Sequence, residues 1–314
     1  MSVVRTVRPI LQALGARDDV EIIGIAPPER GSLALWRQTG LPRAARRSGA
    51  QILHSFTSAF TLTSRIPVVQ TVHEAPWRHG VAENAGTVHR AWVRLGRARA
   101  AATCTPSPGV ARDLAPHASL HVVPWGVDPS FGPEHGESDA RLRATIPDVP
   151  EQPFVLVLGA TRPKKRLDRT CAGAAIAGLP VVATGAVRAD MQALADRSPG
   201  LTLPGEVDDA LLPALVRAAG CIAVLSTSEG FALPVIEALR SGCPVVTARD
   251  TVQSETAGEA AIDVDPADAD DVARGFREAL TEDVDRDRRG RQVADGYSWT
   301  HTADALVRLW RTLA

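Results

Sequence analysis

Short apolar runs recur along the chain, separated by amphipathic stretches. In the first half they fall at 20–25, 52–54, 68–72, 102–105 and 121–124. In the second half they fall at 154–158, 181–183, 201–203, 221–225, 244–247 and 261–264. Most are continuous rather than alternating, as in "FVLVLG" and "GCPVVTA". A strand with one wet face alternates; a strand covered on both faces by helices does not. Strand and helix taking turns in this way predict an α/β fold with doubly wound parallel sheets.

The segment 126–153 is rich in proline, glycine and acid, which predicts a linker with a short helix near 138–145 inside it. A chain of 314 residues is long enough for two such domains. The expected division is 1–134 for the first, 135–298 for the second, and a C-terminal helix over 299–314 that packs back on the first. Ligands in sheets of this kind sit at the carboxyl ends of the strands, so the expectation is two domains facing a cleft.

Charge sharpens the division. The formal net charge is −1, but residues 1–134 hold 15 Arg against 9 Asp+Glu, and the rest hold 20 Lys+Arg against 27 Asp+Glu. Arg90, Arg94 and Arg97 recur at helical spacing, and Arg43, Arg46 and Arg47 form a second cluster. Two readings stay open for them: a solvated helix face in an arginine-rich chain, which composition favours, or a peripheral contact with anionic lipid or an anionic acceptor. Aromatic residues make up 4% of the chain and do not interleave with the basic stretches, which argues against nucleic acid. No apolar run reaches the roughly 18 residues of a membrane span. The N-terminus shows no apolar core followed by a small-residue cleavage site. Cys104, Cys171, Cys221 and Cys243 have neither zinc nor disulfide spacing. Buried thiols and a cytoplasmic location are the expectation.

Only two lysines occur, Lys164 and Lys165, and they stand together just beyond the run "VLVLG" that ends at Gly159. A compact ammonium at a strand end suits an anion; a solvated basic turn is the bland alternative. A second stretch, "VLSTSEGFALPVIEALRSGCPVVTA" at 224–248, predicts strand, polar loop, helix and strand. Pro234 suits a first helical turn and Gly242 a helix end. The amides of Gly230, Phe231 and Ala232 then face a helix N-terminus, where an anion is favoured. Glu229 and Glu237 flank that terminus, and two carboxylates beside a phosphate suit neutral hydroxyls, as sugars supply. His73 ends the apolar run "PVVQTVH".

"SEGFALPVIEALRSGCPVV" resembles the signature of family 4 (group 1) glycosyltransferases, two glutamates separated by seven residues within an EGF-x-LP-x-x-EA core. "GATRPKKRLD" looks like that family's donor-phosphate loop, "PVVQTVHEAPW" like the segment that carries a functional histidine, and "VVPWGVDPSFGP" like the end of the first domain. The resemblance implies the GT-B fold and a retaining, metal-independent transfer of a sugar from a nucleotide-sugar donor to a glycan, lipid or small-molecule acceptor, with no cofactor. It implies that Lys165, Lys164, Gly230, Phe231 and Ala232 meet the donor diphosphate, that Glu237 holds the ribose, and that Glu229 and His73 are catalytic. Ala160 stands where the family often has Arg, with Arg162 the nearest substitute for that phosphate contact. Relatives open with a strand and a glycine-rich loop, whereas this chain opens at what resembles the helix after them. That predicts a start upstream of Met1 or self-association. An epimerase or phosphorylase on the same architecture, and a weakly active nucleotide-binding protein, are the alternatives.

Overall fold

The computed structural model describes residues 3–82 and 86–314. The chain divides into two compact units, one of Met1–Gly126 with Ser298–Ala314, the other of Val127–Tyr297. The first boundary therefore precedes the expected 134. The segment read as a linker is fastened to the second unit instead. Phe131 is 3% exposed and its carbonyl accepts from Arg240 Nε at 3.0 Å. The Gly132 carbonyl accepts from Arg217 Nη1 at 3.1 Å.

Unit 1 holds β1 (Leu53–Ser55), β2 (Val68–Thr71), β3 (Ala102–Thr105) and β4 (Leu120–Val122). They form a four-stranded parallel sheet in sequential order. Its helices are α1 (Val3–Gly15), α2 (Leu33–Arg47), α3 (Thr87–Arg99), α4 (Pro108–Asp113) and, from the far end of the chain, α13 (Trp299–Arg311). β2 and β3 are buried along their whole length, as continuous apolar runs require. Helix α13 packs on α1, and Arg17 of the turn after α1 pairs with Asp304 of α13. The chain passes Trp299 so closely at Gly126 that a side-chain carbon there would overlap the Trp299 backbone nitrogen. The run at 20–25 is not a strand. It pairs with no strand of the sheet, and Ile23 is exposed. Apolar character alone does not make a strand; hydrogen bonding to a sheet does, and this run makes none.

Unit 2 holds β5 (Val155–Val157), β6 (Val181–Thr184), β7 (Leu201–Gly205), β8 (Cys221–Val224), β9 (Val245–Ala248) and β10 (Ala261–Val264). They form a six-stranded parallel sheet in the order β10-β9-β8-β5-β6-β7. Its helices are α5 (Glu137–Thr145), α6 (Leu167–Ala177), α7 (Ala189–Ala195), α8 (Leu212–Ala218), α9 (Leu233–Arg240), α10 (Val252–Ala257), α11 (Ala269–Ala279) and α12 (Val284–Asp295). Phe154, Leu156, Ile222 and Phe276 are wholly enclosed. The strand order reverses between β5 and β8: the chain leaves β5 for β6 and β7 on one side, then returns to β8 on the other. Loops leaving the carboxyl ends of two strands at such a reversal diverge and leave a crevice between them. All four cysteines are free and buried, and burial pushes the Cys104, Cys171 and Cys221 thiols up to about 12.

Candidate functional site

The crevice of unit 2 is bounded by the segment after β5 and the segment after β8. The first turns at Gly159, whose φ of 63° lies in the left-handed region. The Ala160 amide donates to the Thr184 carbonyl at 2.8 Å, and the Gly159 amide to Thr184 Oγ1 at 3.3 Å. The loop can lie on the end of β6 because Gly185 has no side chain; a carbon there would overlap Thr161 Cγ2. Arg188 Nη1 holds the Thr161 carbonyl at 2.7 Å. A 3-10 turn over Pro163–Lys165 follows, flanked by Arg162 and by Arg166 at φ 52°. Lys164 is 9% exposed, and the side chain of Lys165 13%.

The two segments are bonded to each other. The Thr227 amide donates to the Lys164 carbonyl at 2.9 Å. Lys165 Nζ donates to Glu229 Oε1 at 2.7 Å. Gln253 Nε2 donates to the Ser226 carbonyl at 2.6 Å, and Thr256 Oγ1 to the Phe231 carbonyl at 3.3 Å. Phe231, 2% exposed, meets the Tyr297 ring edge-on at 5.4 Å. Ala232 precedes α9 at φ 58°, a conformation that favours glycine. Strained residues on both segments, Arg166 and Ala232, mark the place where the surrounding bonds over-determine the backbone. Pro234 lies in the first turn of α9, and Glu237 lies further along, 3% exposed.

The electrostatics follow from this packing. Burial works to raise the Glu229 pKa. The Lys165 and Lys164 charges and the Lys165 hydrogen bond outweigh it and hold the carboxyl at about 2. Glu229 is therefore a carboxylate, able only to accept. An ammonium has three donors; Lys165 spends one on Glu229 and has two left for a ligand. The N-terminus of α9 adds partial positive charge from its leading amides. The two segments thus bring two cations, the leading amides of α9 and the Glu229 carboxylate into one neighbourhood.

Lys164, Lys165, Arg162, Glu229, Gly230, Phe231, Ala232 and Glu237 all belong to these two segments and α9 of unit 2. His73 belongs to unit 1, where it follows β2 at the carboxyl end of the sheet. His73 Nε2 donates to the Phe56 carbonyl at 2.8 Å, and its ring packs on Trp125 at 5.1 Å. Burial lowers its pKa below the usual value, so the imidazole is neutral at pH 7. Beside it stands His54, a residue the sequence did not single out. His54 Nε2 meets Thr71 Oγ1 at 2.8 Å, and the ring stacks on Phe56 at 4.2 Å. Burial, then the neighbouring His73, press its pKa down to about 3. Arg188 and Gln253, which brace the two loops of unit 2, also escaped notice. They act from elements distant in sequence and carry no motif of their own. Arg90, Arg94 and Arg97 are exposed along α3, with the Arg90 guanidinium 5.8 Å from the centre of the Trp77 ring.

Among the described residues no helix is long and apolar enough to cross a membrane, and no group of three or more His, Cys, Asp and Glu side chains is placed to hold a metal ion. Two protein families match the chain: Glycosyl transferases group 1 over residues 140–296 and Glycosyltransferase Family 4 over residues 5–131. The MMP alpha-(1->4)-mannosyltransferase of Mycolicibacterium hassiacum is 30% identical over 203 residues, 61% of this chain and 48% of that protein. The chain spans less than half the length of the curated relatives it matches. Among solved structures, sucrose-phosphate synthase from Thermosynechococcus elongatus superposes with a TM-score of 0.71 at 18% identity, covering 98% of this chain and 92% of that one. Anabaena HepE in complex with UDP-glucose gives a TM-score of 0.71 at 15% identity, covering 87% of this chain and 81% of that one.

Proposed function

Since this chain belongs to the group 1, family 4 glycosyltransferases and has the GT-B fold, we propose that it moves a sugar from a nucleotide-sugar donor to an acceptor of glycan, lipid or small-molecule class, with retention at the anomeric carbon and without a metal or other cofactor. The observation that carries this reading is the bonded pair of loops at the β5/β8 reversal, where Lys165 and Glu229 meet at 2.7 Å beside the N-terminus of α9. Unit 2 is the donor unit in this reading and unit 1 the acceptor unit. Lys165 and Lys164, with Arg162 and the backbone of Gly230, Phe231 and Ala232, take the diphosphate. Glu237 takes the ribose hydroxyls and Glu229 the hydroxyls of the sugar. Breaking the sugar–phosphate bond leaves negative charge on the diphosphate, and fixed cations and helix amides are the groups that stabilise it without a metal. Neutral His73, with Nε2 engaged by Phe56, presents Nδ1 as an acceptor for a hydroxyl. The UDP and UDP-glucose bound by HepE support a nucleotide-sugar donor. A cytoplasmic location, a peripheral membrane contact through the basic first unit and self-association belong to the same proposal.

Calorimetric titration of UDP, GDP and ADP and of their sugar conjugates tests the assignment. One nucleoside diphosphate binds, and Lys165→Ala weakens it about 10- to 100-fold, the worth of a charge-assisted hydrogen bond. Glu237→Ala loses affinity for the free nucleotide. Glu229→Ala spares it and damages binding of the nucleotide sugar. Equal effects of the two glutamate changes on free nucleotide would overturn the division of roles. Turnover abolished by EDTA and restored by a divalent cation would overturn the metal-free reading, and proton NMR of the product reads the anomeric outcome.

A further inference from the structure

We propose that unit 1 carries a second anion site, a groove between α2 and the segment entering β2, that takes a phosphate group borne by a soluble phosphoester or by a lipid headgroup. The groove encloses about 340 Å³, and Thr39, Arg43, Arg46, Thr63, Ser64 and Arg65 line it. Its walls are built. The Leu62 amide donates to Gln38 Oε1 at 2.8 Å, and Gln38 Nε2 donates to the Phe60 carbonyl at 3.0 Å. The Thr63 hydroxyl donates to the Gln38 carbonyl. One α2 side chain thus clamps the facing segment from both sides and fixes the width of the groove.

Charge points to the ligand. No Asp or Glu occurs between Glu29 and Glu74, a stretch that holds six arginines. Among the described residues, Arg43, Arg46 and Arg65 form no ion pair, and Arg43 is held only by its bond to the Thr39 carbonyl at 3.2 Å. The negative end of the α2 dipole explains a cation in its last turn, where Arg46 stands. It does not explain Arg65, which comes from the opposite wall. The hydroxyls of Thr39, Thr63 and Ser64 already donate to carbonyls, so the guanidiniums are the donors left. Guanidinium forks match phosphate oxygens in pairs.

The groove is not the site already described. It lies in unit 1, and within unit 1 it lies at the other end of the sheet from His73. Ser64, Arg65 and Ile66 lead into β2, whereas His73 leaves it; at the rise of a strand that separates them by about 20 Å. The proposal does not depend on the transferase reading of unit 2.

Hydrogen exchange read peptide by peptide on the full chain tests it, with glycerol 3-phosphate as the soluble probe. Vesicles of phosphatidylcholine, with and without phosphatidylglycerol, are the lipid arm. Peptide resolution separates this groove from any phosphate contact in unit 2. Slowed exchange over 38–46 and 60–66 with glycerol 3-phosphate assigns the site to soluble phosphoesters. Slowing there only with phosphatidylglycerol vesicles assigns it to a lipid headgroup. In either case Arg43→Gln with Arg65→Gln weakens binding about tenfold or more, while Arg90→Gln with Arg94→Gln, the same loss of charge on α3, changes it less than about twofold. No slowing with either probe, or equal weakening by the two pairs of substitutions, overturns the proposal.

Discussion

Lys165→Ala removes the 2.7 Å partner of Glu229 and leaves the carboxylate buried. In the intact protein that carboxyl is held at about 2 against an ordinary 4.5. Each tenfold change in proton affinity is worth about 1.4 kcal/mol, so the depression contributes about 3 kcal/mol to folding. The sign follows from linkage. A carboxylate whose pKa is lowered by folding stabilises fully above its unfolded value, and the contribution fades as pH falls from 4.5 to about 2. In the variant burial prevails over the remaining Lys164 charge and the Glu229 pKa moves up. At pH 7 the variant loses about 2–4 kcal/mol, because a buried charge has lost its main partner. At pH 3 the intact protein keeps only about 1 kcal/mol of the effect, while the variant buries a neutral acid, so the gap shrinks by half or more. All six tryptophans lie in unit 1, so the readout is hydrogen exchange of β5 and β8 peptides against urea. Lys165→Ala with Glu229→Gln, which leaves no charge to strand, recovers much of the loss. A loss of the same size at pH 7 and pH 3, or one below about 0.5 kcal/mol at pH 7, would refute the account.

His54, pressed from 6.5 to about 3 by burial, takes up a proton more readily in the unfolded chain, so unit 1 is at full stability above pH 6.5 and loses it progressively toward pH 3. The expected loss from His54 is about 2 kcal/mol between pH 6.5 and 5; urea melts followed by tryptophan fluorescence should show it, and His54→Gln should reduce the slope to what buried His73 leaves. Gly126→Ala drives a methyl into the Trp299 backbone and should cost unit 1 about 2 kcal/mol or more; a wild-type melting curve would contradict the close approach. Arg217→Met takes from Asp139 the guanidinium that grips it through Nε at 3.1 Å and Nη2 at 2.7 Å, leaving it the Gly136 amide, and frees the Gly132 carbonyl; unit 2 should lose about 1–2 kcal/mol and expose 127–145 to protease, whereas unchanged cleavage there would show that segment to be a linker after all.

Ten of the eleven apolar runs are strands; they were legible because a parallel sheet covered on both faces writes itself as unbroken apolar runs, and because glycine and proline punctuate them. The exception, 20–25, has the composition of a strand but no neighbour to pair with, and pairing is not a local property. The boundary at 126 was hidden for a related reason. Proline, glycine and acid around 127–150 look like a linker until Arg217 and Arg240, from far along the chain, fasten that stretch down. The residues that meet at the β5/β8 reversal of unit 2 are also neighbours in sequence, since its lysines, glutamates and helix start lie in two short stretches. Those of the groove beside α2 are not: Arg43 and Arg46 stood out as a basic cluster, but Arg65 joins them only through the fold.

The pairing of α13 with α1 also sets an order of events during synthesis. Unit 2 is one continuous stretch, whereas unit 1 is completed by α13, which is made only after unit 2. Some 170 residues separate its two parts, which at about 5–20 residues per second keeps the ribosome occupied for about 10–35 s. Over that interval the four-stranded sheet is made while the face of α1 that will receive α13 waits uncovered. Unit 2 can therefore settle first although it emerges second. A nascent chain arrested before residue 298 would hold a finished unit 2 and a unit 1 still open to chaperones, and only the emergence of α13 would let unit 1 close.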